Sequence, residues 1–475
     1  VFVPFYTRSM VYTMPEFLER RYNPQSRTIL SVISLVSYVL TKVAVTVYAG
    51  GLVFQQVFGI KELWGIDFFW IAAIGLVVLT ALYTIFGGMK SVLYTSVLQT
   101  PILLLGSLII LVLGFKELGG WDEMMRVCGA VTVNDYGDTM TNLIRSNDDA
   151  NFPWLGALIG SAIIGFWYWC TDQFIVQRVL SGKNEMEARR GTIFGAYLKL
   201  LPVFLFLIPG MIAFALHQKY IGAGGEGFLP MLANGTANAD AAFPTLVAKL
   251  LPAGVKGLVV CGILAALMSS LASLFNSSAM LFTIDFYKRF RPETPEKKLV
   301  GIGQVATVVI VILGILWIPI MRSVGDVLYT YLQDVQSVLA PGIAAAFLLG
   351  ICWKRTSAQG GMWGLIAGMV IGLTRLGAKV YYSNAGEVAD STFKYLFYDM
   401  NWLFFCGWMF WFCSIVVIVV SLATKAPTAE KIQGLVFGTA TKEQKAATRA
   451  SWNHWDIIHT VIILAITGAF YWYFW

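Results

Sequence analysis

Eleven apolar segments of membrane length constrain this chain more than any other feature. A helix of about 20 apolar residues crosses the hydrocarbon core of a bilayer, and in lipid the backbone amides of such a segment must bond within it. The segments predict an all-α polytopic membrane protein in which residues 1–475 form one transmembrane domain. They lie near Ile29–Phe54, Phe68–Phe86, Val92–Phe115, Trp154–Ile175, Thr192–Ala215, Gly257–Phe282, Val300–Ile320, Val327–Cys352, Gly361–Val380, Trp402–Leu422 and Ile457–Phe474.

The composition agrees with a membrane protein and argues against several functions. Hydrophobic residues make up 57% of the chain and charged residues 13%, whereas soluble domains carry about 25% charged residues. The net charge is +7, but the basic residues stand in short connections, so no nucleic-acid partner is predicted. The chain has three histidines, no HExxH motif and no paired carboxylates within one segment. An enzyme is therefore not expected.

The basic residues also predict an orientation. One alternate set of connections holds 21 of the 34 Lys and Arg residues and the other set holds nine. By the positive-inside rule, the first set is cytoplasmic, the chain starts in the cytoplasm and it ends outside. Residues 116–153 and 216–256 are then extracellular loops, and residues 423–456 are a cytoplasmic loop. The predicted location is a plasma membrane or a bacterial inner membrane.

The apolar segment Cys261–Phe282 carries a stripe of small and hydroxyl residues. They are Ala266, Ser269, Ser270, Ser273 and Ser277, which share one helix face. Such a stripe allows close packing and hydrogen bonding between membrane helices. Its oxygens are also suitable ligands for a small cation, and we interpret Ser269 and Ser270 as ligands of Na⁺.

Two lysines lie inside apolar segments. Lys42 is about thirteen residues, or roughly 20 Å, into its segment. An intramembrane charge at that depth faces a functional cavity or belongs to a buried ion pair. Lys199 is only about 12 Å from the cytoplasmic end, so a lysine that extends to the interface is the alternative.

Aromatic and amide groups cluster at two further places. Trp167-Tyr168-Trp169 precedes Asp172 and Gln173, a combination that suits a sugar, although aromatic residues also collect at membrane interfaces.

Polar residues also interrupt the Val327–Cys352 segment. They are Gln333, Asp334 and Gln336, and Pro341-Gly342 follows them. We expect a broken helix here, as at many transporter sites. Asp285, at another helix end, is expected to face water.

Four blocks of this sequence strongly resemble the sodium/glucose cotransporter branch of the sodium:solute symporter family. They are YTMPEFLERRYNP (Tyr12–Pro24), WYWCTDQFIVQR (Trp167–Arg178), LMSSLASLFNSSAMLFTIDFY (Leu267–Tyr287) and IAAAFLLGICWKR (Ile343–Arg355). The similarity extends over nearly the whole chain. It implies a LeuT-like core of two inverted five-helix repeats that moves a small solute inward with Na⁺ by alternating access.

The resemblance also implies roles for individual residues. The Ala266 carbonyl and the Ser269 and Ser270 hydroxyls match the Na⁺ ligands of the family. The positions that match the sugar site or its surroundings are Lys42, Tyr168, Trp169, Lys199 and Gln333.

The chain departs from the family pattern in several respects. The first core helix and most of the second are not found before Val1, so we expect the core to be N-terminally incomplete and unable to transport alone. Gly165 stands where bacterial galactose transporters carry an Asn. Ser96 stands where an Asp is usual on the sodium path, which leaves the number of Na⁺ ions open.

The sequence therefore predicts a Na⁺-coupled symporter for a hexose, with the bilayer, the solute and Na⁺ as partners and no oligomeric state specified. Inositol, sialic acid, an amino acid or a vitamin is the alternative solute within the same fold. A passive sugar channel or a sensor is the alternative from another class.

Overall fold

A computed structural model describes residues 2–9, 11, 13–232, 235–324, 327–385 and 389–474, and the side chains of Arg8, Tyr83, residues 85–93, Thr95 and residues 322–324 lie outside the description. The α-helices are α1 Val3–Ser9, α2 Met14–Arg21, α3 Pro24–Ser37, α4 Ala44–Phe58, α5 Phe68–Leu118, α6 Trp121–Gly129, α7 Trp154–Phe166, α8 Gln173–Leu180, α9 Glu185–Pro202, α10 Ile208–Gly222, α11 Ala242–Leu250, α12 Ala253–Met280, α13 Lys288–Phe290, α14 Glu296–Val324, α15 Leu328–Cys352, α16 Ala358–Asn384, α17 Thr392–Lys394, α18 Trp402–Ala423, α19 Ala429–Ile432, α20 Lys442–Ala450 and α21 His454–Tyr473. Strands β1 Glu62–Leu63 and β2 Ile66–Asp67 form a small antiparallel hairpin.

The described part of the chain contains ten helices that are long and apolar enough to cross a membrane, and one shorter apolar stretch at Phe68–Leu82. The prediction of eleven segments differs at α5, which runs as one helix of 51 residues through two predicted segments. The predicted connection between them, at residues 87–91, contains no proline. No proline therefore removes a backbone hydrogen bond here, and the Gly87-Gly88 pair lowers the helix propensity without ending the helix.

Within the described ranges, five π-helical turns extend or separate these helices. They are Tyr38–Val43, Trp167–Thr171, Val203–Leu207, Leu281–Tyr287 and Tyr395–Asp399. A π-helical turn inserts a residue into the helical register and is frequent at functional sites. Three of these turns carry residues that the sequence singled out, namely Lys42, the Trp167–Trp169 aromatics and Asp285.

The chain divides into two compact units. The first comprises Val1–Lys42, Asn147–Gly195 and Ser277–Ala465. Its centre is α15, which packs against α7, α16 and α18. The close approach of α15 and α16 depends on glycine, since a Cβ built on Gly368 lies 2.7 Å from the Gly342 Cα.

The second unit comprises Val43–Ser146, Ala196–Asn276 and Ile466–Trp475. Here α4, α5, α10 and α11 pack on one another, with Ile212, Leu216 and Leu246 fully buried. The short helix α6 inserts Met124 and Cys128 into the same core, and burial raises the pKa of the Cys128 thiol to about 11.

Two sequence-based expectations about helix ends are wrong. The α15 helix continues through Pro341 to Cys352, because membrane helices tolerate proline where neighbouring helices pack closely and α16 packs against α15 around Gly342. Asp285 does not face water, since its side chain is fully buried. It accepts hydrogen bonds from Arg27 Nε at 2.7 Å and Thr13 Oγ1 at 2.9 Å, so it joins three segments of the first unit.

Candidate functional site

The predicted Na⁺ ligands lie together on α12, in the second unit. Ser269 is buried, and Ala266 and Ser270 are half-buried. The Ser269 hydroxyl lies 2.6 Å from the hydroxyl of Ser96 on α5. Within the described residues, the Ser270 side chain makes no hydrogen bond. This helix face therefore offers one hydroxyl that another serine engages and one that remains available for a ligand.

Ser96 is the residue that departs from the family pattern, and the structure places it at this face. Its hydroxyl is neutral and can donate to or accept from Ser269. The contact joins α5 to α12, in agreement with the packing interpretation of the stripe. It also brings a further oxygen next to Ser269, so the packing and ligand interpretations are compatible at this point.

Lys42 ends the first unit's N-terminal segment, on the π-helical turn Tyr38–Val43. Its side chain is 8% exposed, and its ammonium forms an ion pair with Asp172. Four aromatic rings surround the ammonium, with centroids 4.5 to 5.8 Å from Nζ, and they belong to Tyr38, Trp167, Tyr168 and Phe174. The lysine is thus neutralised by one carboxylate and enclosed by cation–π contacts.

Asp172 is the partner that sequence reasoning missed. It is the N-cap of α8, where its side chain accepts from the Phe174 backbone N–H, and its Oδ1 accepts from the Tyr38 hydroxyl at 3.0 Å. The neighbouring Gln173 accepts from the Met14 backbone N–H at 2.8 Å. Both side chains are therefore engaged by protein groups, whereas the sequence interpretation assigned them to a sugar. Apart from the Phe174 N–H, the partners named here, Tyr38, Lys42 and Met14, are more than 100 residues away along the chain, so no local signal could have identified them.

The aromatic residues next to Lys42 differ in exposure. Tyr168 is half-buried and packs against the core of the first unit, whereas Trp169 is 50% exposed. Their rings meet edge to face with centroids 5.2 Å apart. Trp169 therefore presents an open aromatic face that is held in place by Tyr168.

Gln333 lies on α15 in the first unit and is half-buried. In the part of the chain that the structure describes, its amide has no hydrogen-bond partner. Lys199 lies on α9 and is exposed, as a lysine that extends to the interface would be. It belongs to the second unit. The structure thus brings Lys42, Tyr168 and Trp169 together and places the other two predicted solute-binding residues on separate helices.

Asp334, the residue that follows Gln333 in sequence, belongs to a cluster of charged side chains. Asp334 pairs with Lys379 Nζ at 2.5 Å, and Arg375 lies 3.7 Å from its other oxygen. The fully buried Arg375 also donates to the Leu396 and Met400 carbonyls and stacks over Phe405 at 4.0 Å. The cluster connects α15, α16 and α18, and so fixes the helix turn that carries Gln333.

Within the described residues, no group of three or more His, Cys, Asp and Glu side chains is placed to hold a metal ion. The candidate cation ligands on α12 are neutral oxygens, namely the Ala266 carbonyl and the Ser269 and Ser270 hydroxyls. Such ligands suit a monovalent cation that crosses the membrane, because they add no permanent charge to a low-dielectric region.

Comparison with known proteins finds proteins that are similar to this chain in sequence and in structure. A model of the sodium:solute symporter family matches residues 1–368. The sodium/mannose cotransporter SLC5A10 of Bos taurus is 36% identical over 496 residues, which cover 100% of this chain and 82% of that protein. The sodium/myo-inositol cotransporter 2 of Homo sapiens is 35% identical over 451 residues, which cover 92% of this chain and 66% of that protein.

The sodium/glucose cotransporter 1 of Ovis aries is 37% identical over 442 residues, which cover 90% of this chain and 66% of that protein. The chain thus spans about two thirds of the length of the human and ovine relatives. A solved structure of a Na⁺-coupled sialic acid symporter, in a substrate-bound outward-open state, matches with a TM-score of 0.67 at 21% identity. The match covers 90% of this chain and 80% of that one, and it concerns the fold alone.

These matches confirm the resemblance that the four sequence blocks indicated. They also confirm the LeuT-like all-α fold and Na⁺ as the coupling ion. The chain belongs to the sodium:solute symporter family.

Proposed function

We propose that this protein couples Na⁺ entry to the uptake of a neutral polyhydroxylated solute, a hexose in the first instance. The observation that supports the proposal is the ion pair of Lys42 with Asp172, which neutralises the ammonium next to Tyr168. The neighbouring aromatic face of Trp169 therefore has no uncompensated charge from this lysine. An uncharged ring with CH faces and hydroxyls is a suitable ligand for such a surface.

The roles of the site residues follow from their chemistry. Gln333 has a half-buried amide without a partner among the described residues, and it can donate to and accept from solute hydroxyls. Tyr168, Trp169, Lys42 and Lys199 are proposed to line or close the solute site. The Ala266 carbonyl and the Ser269 and Ser270 hydroxyls are proposed to bind Na⁺.

The energetics of one Na⁺ per cycle are sufficient for concentrative uptake. One charge that crosses 100 mV supplies about 2.3 kcal/mol, and a tenfold Na⁺ gradient adds about 1.4 kcal/mol. Together they support roughly 500-fold accumulation of a neutral solute, at tenfold per 1.4 kcal/mol.

Myo-inositol is the second candidate solute. The observation that favours it is the 35% identity to the sodium/myo-inositol cotransporter 2 of Homo sapiens. Inositol and hexoses share a six-membered ring with several hydroxyls, so the same amide and aromatic groups can bind either.

The test is solute uptake into proteoliposomes under an inward Na⁺ gradient, with choline replacing Na⁺ in the control and with two or three leading helices added before Val1, since residues 1–475 alone are expected not to transport. Radiolabelled glucose, galactose, mannose and myo-inositol are compared, with sialic acid and an amino acid as further solutes. We expect accumulation of at least one hexose above its external concentration, and only with Na⁺. Entry that stops at equal concentrations in either salt would indicate a channel. Accumulation of a charged solute alone would overturn the assignment to neutral polyols.

We also propose that the chain starts on the cytoplasmic side and ends outside, as the basic residues predict. Under this orientation residues 116–153 and 216–256 are extracellular and residues 423–456 are cytoplasmic. Single cysteines introduced in these three segments and treated with a membrane-impermeant maleimide on intact cells test it. Labelling of residues 423–456 in intact cells would reverse the orientation.

A further inference from the structure

A long apolar groove lies in the first unit, between the N-terminal span and α14. Its volume is about 830 Å³, within the range of small-molecule sites. The α3 helix and the turn after it contribute Leu35, Val39 and Leu40, and α14 contributes one side from Lys298 to Leu313. Apart from Lys298, every side chain in this lining is apolar.

The groove has apolar walls, and part of its α14 wall is exposed. Both walls are in spans that are long and apolar enough to cross a bilayer, Pro24–Phe58 and Glu296–Met321. On α14, Val305, Val309 and Leu313 are 47–65% exposed. The wall from Lys298 to Leu313 is roughly 22 Å long at 1.5 Å per residue, somewhat longer than the roughly 15 Å of one leaflet. A single acyl chain fits this shape.

Lys298 gives one end of the groove a positive charge. It lies in the first turn of α14 and is exposed. Among the residues described, its ammonium has no carboxylate or hydrogen-bond partner. Nearby Arg289 differs, because it donates to the Pro24 carbonyl at 2.7 Å and to Thr28. Lys298 is therefore a cation that remains available for an external anion.

Part of the groove lining belongs to the π-helical turn that carries Lys42. Val39 and Leu40 line the groove and belong to the π-helical turn Tyr38–Val43. The Leu40 carbonyl accepts from the Tyr331 hydroxyl at 2.9 Å. The same turn presents Lys42 to Asp172. An occupant of the groove would thus contact the turn that holds this ion pair.

We propose that this groove binds one acyl chain of an anionic phospholipid, with the headgroup phosphate at Lys298. The acyl chain matches the shape of the groove, but it gains little from entering, because the surrounding lipid tails are as apolar as the groove. The selectivity between lipids therefore comes from the contact of the phosphate with Lys298. One basic residue near an anionic headgroup corresponds to a preference of about fivefold, or about 1 kcal/mol. The proposal does not depend on which solute is transported.

The test is photocrosslinking of the purified full chain in nanodiscs with two photoactivatable lipids that have identical acyl chains. One carries phosphatidylglycerol and the other phosphatidylcholine. Mass spectrometry then locates the labelled peptides. We expect labels on residues 35–40 and 298–313. The yield of labelled peptide should be about fivefold higher with the phosphatidylglycerol probe than with the phosphatidylcholine probe. K298Q should remove this preference, whereas the matched variant K297Q should keep it.

A second variant pair tests the groove itself. A Cβ built on Gly301 meets no atom within 4 Å, so Gly301→Phe can fill the groove without a clash at its first atom. It should reduce labelling by both lipids at least fivefold. Gly377→Phe on α16, where a Cβ also meets nothing within 4 Å, should leave labelling unchanged.

Three results would overturn the proposal. The first is equal labelling by the two lipids in the unmodified protein. The second is labels that fall outside the groove, and the third is K297Q and K298Q having the same effect. Crosslinks from groove residues to a second copy of the chain would assign the groove to a dimer contact instead. If Gly301→Phe fails to fold, the two lysine variants still decide the outcome.

Discussion

Several buried charged residues of the described membrane-spanning helices form ion pairs, and these pairs carry much of the chemistry of the candidate site. Lys42 is held by Asp172 and by four aromatic rings, and Asp334 is held by Lys379 and Arg375. Removing one member of a buried pair leaves an uncompensated charge and costs more than the intact pair contributes. Such pairs therefore fix side-chain positions more than they add to overall stability.

The Lys42–Asp172 pair gives the first prediction. Lys42→Met and Asp172→Asn should each destabilise the protein by about 3–5 kcal/mol, since each leaves a buried group without its partner. The double variant should lose less than the sum of the single losses. Thermal unfolding of the detergent-solubilised protein measures the three values. Arg126→Gln, at an exposed pair with Glu123, is the control and should leave the thermal stability nearly unchanged, because exposed ion pairs contribute little. Additive losses would show that the pair is not coupled.

Ser270 gives the second prediction. If its hydroxyl is a Na⁺ ligand, Ser270→Ala should raise the Na⁺ concentration for half-maximal uptake by roughly 5- to 150-fold, the equivalent of one lost polar contact at a buried site. The matched variant is Ser273→Ala, a fully buried serine of the same stripe. Na⁺ titrations of uptake measure both variants at equal surface expression. A shift of the same size in Ser273→Ala would assign the stripe to helix packing.

At the scale of single elements, glycines decide how closely the central helices approach. Gly342 on α15 faces Gly368 on α16, and Gly372 faces the Val338 carbonyl. A methyl group at either α16 position would meet backbone, which cannot move aside as a flexible side chain can. The four-residue glycine spacing of this segment predicts close packing from sequence alone, and the structure identifies α15 as the helix that it packs against.

Gly372→Ala tests this packing and is the third prediction. The new methyl group has to displace the Val338 carbonyl, so we expect a destabilisation of about 1–3 kcal/mol. Gly377→Ala lies on the same helix with open space around its Cβ. It should be neutral or stabilising by up to about 1 kcal/mol, because alanine is the better helix former. Thermal unfolding of both variants under one condition makes the comparison. Equal effects would mean that helix propensity, rather than contact, governs both positions.

The π-helical turns mark the limit of what sequence patterns can predict at this scale. Apolar segments of membrane length located most of the long helices, because a helix needs about 20 apolar residues to cross the hydrocarbon core. Periodicity does not indicate the insertion of one residue at Tyr38–Val43 or Trp167–Thr171. These turns depend on contacts that are distant in sequence, such as Tyr331 to the Leu40 carbonyl. The partners of Lys42 and Asp285 were missed for the same reason.

For the whole molecule, the sequence was enough to predict the fold and the family. The arrangement of the candidate site residues could be predicted only in part. Ser269 and Ser270 were predicted as ligands, and the contact of Ser269 with Ser96 appears only in the structure. The aromatic cluster at Trp167–Trp169 was predicted, but Asp172 and Gln173 proved to bind protein groups. Polar residues in a membrane helix show that a partner is needed. They do not show whether that partner is a solute or another part of the chain.

Coupling between the two ligands is the fourth prediction, and it concerns the whole molecule. In a symporter, saturating solute should lower the Kd of Na⁺ by the same factor by which saturating Na⁺ lowers the Kd of the solute, because binding linkage is reciprocal. Isothermal titration calorimetry measures all four constants. A ratio of one in both directions would contradict coupling and favour a channel or a sensor.

Gln333→Ala sharpens this measurement. Loss of one hydrogen bond to a buried site should weaken solute binding by roughly 5- to 150-fold. The Kd of Na⁺ without solute should stay the same, since Gln333 is not a proposed Na⁺ ligand. Ser270→Ala should show the opposite pattern, with weaker Na⁺ binding and an unchanged solute Kd in the absence of Na⁺. Gln177→Ala, at a buried amide on α8, is the matched control and should leave both constants within about twofold, well under 1 kcal/mol. If Gln333→Ala also leaves the solute Kd within that range, Gln333 is structural and the solute lies elsewhere in the protein.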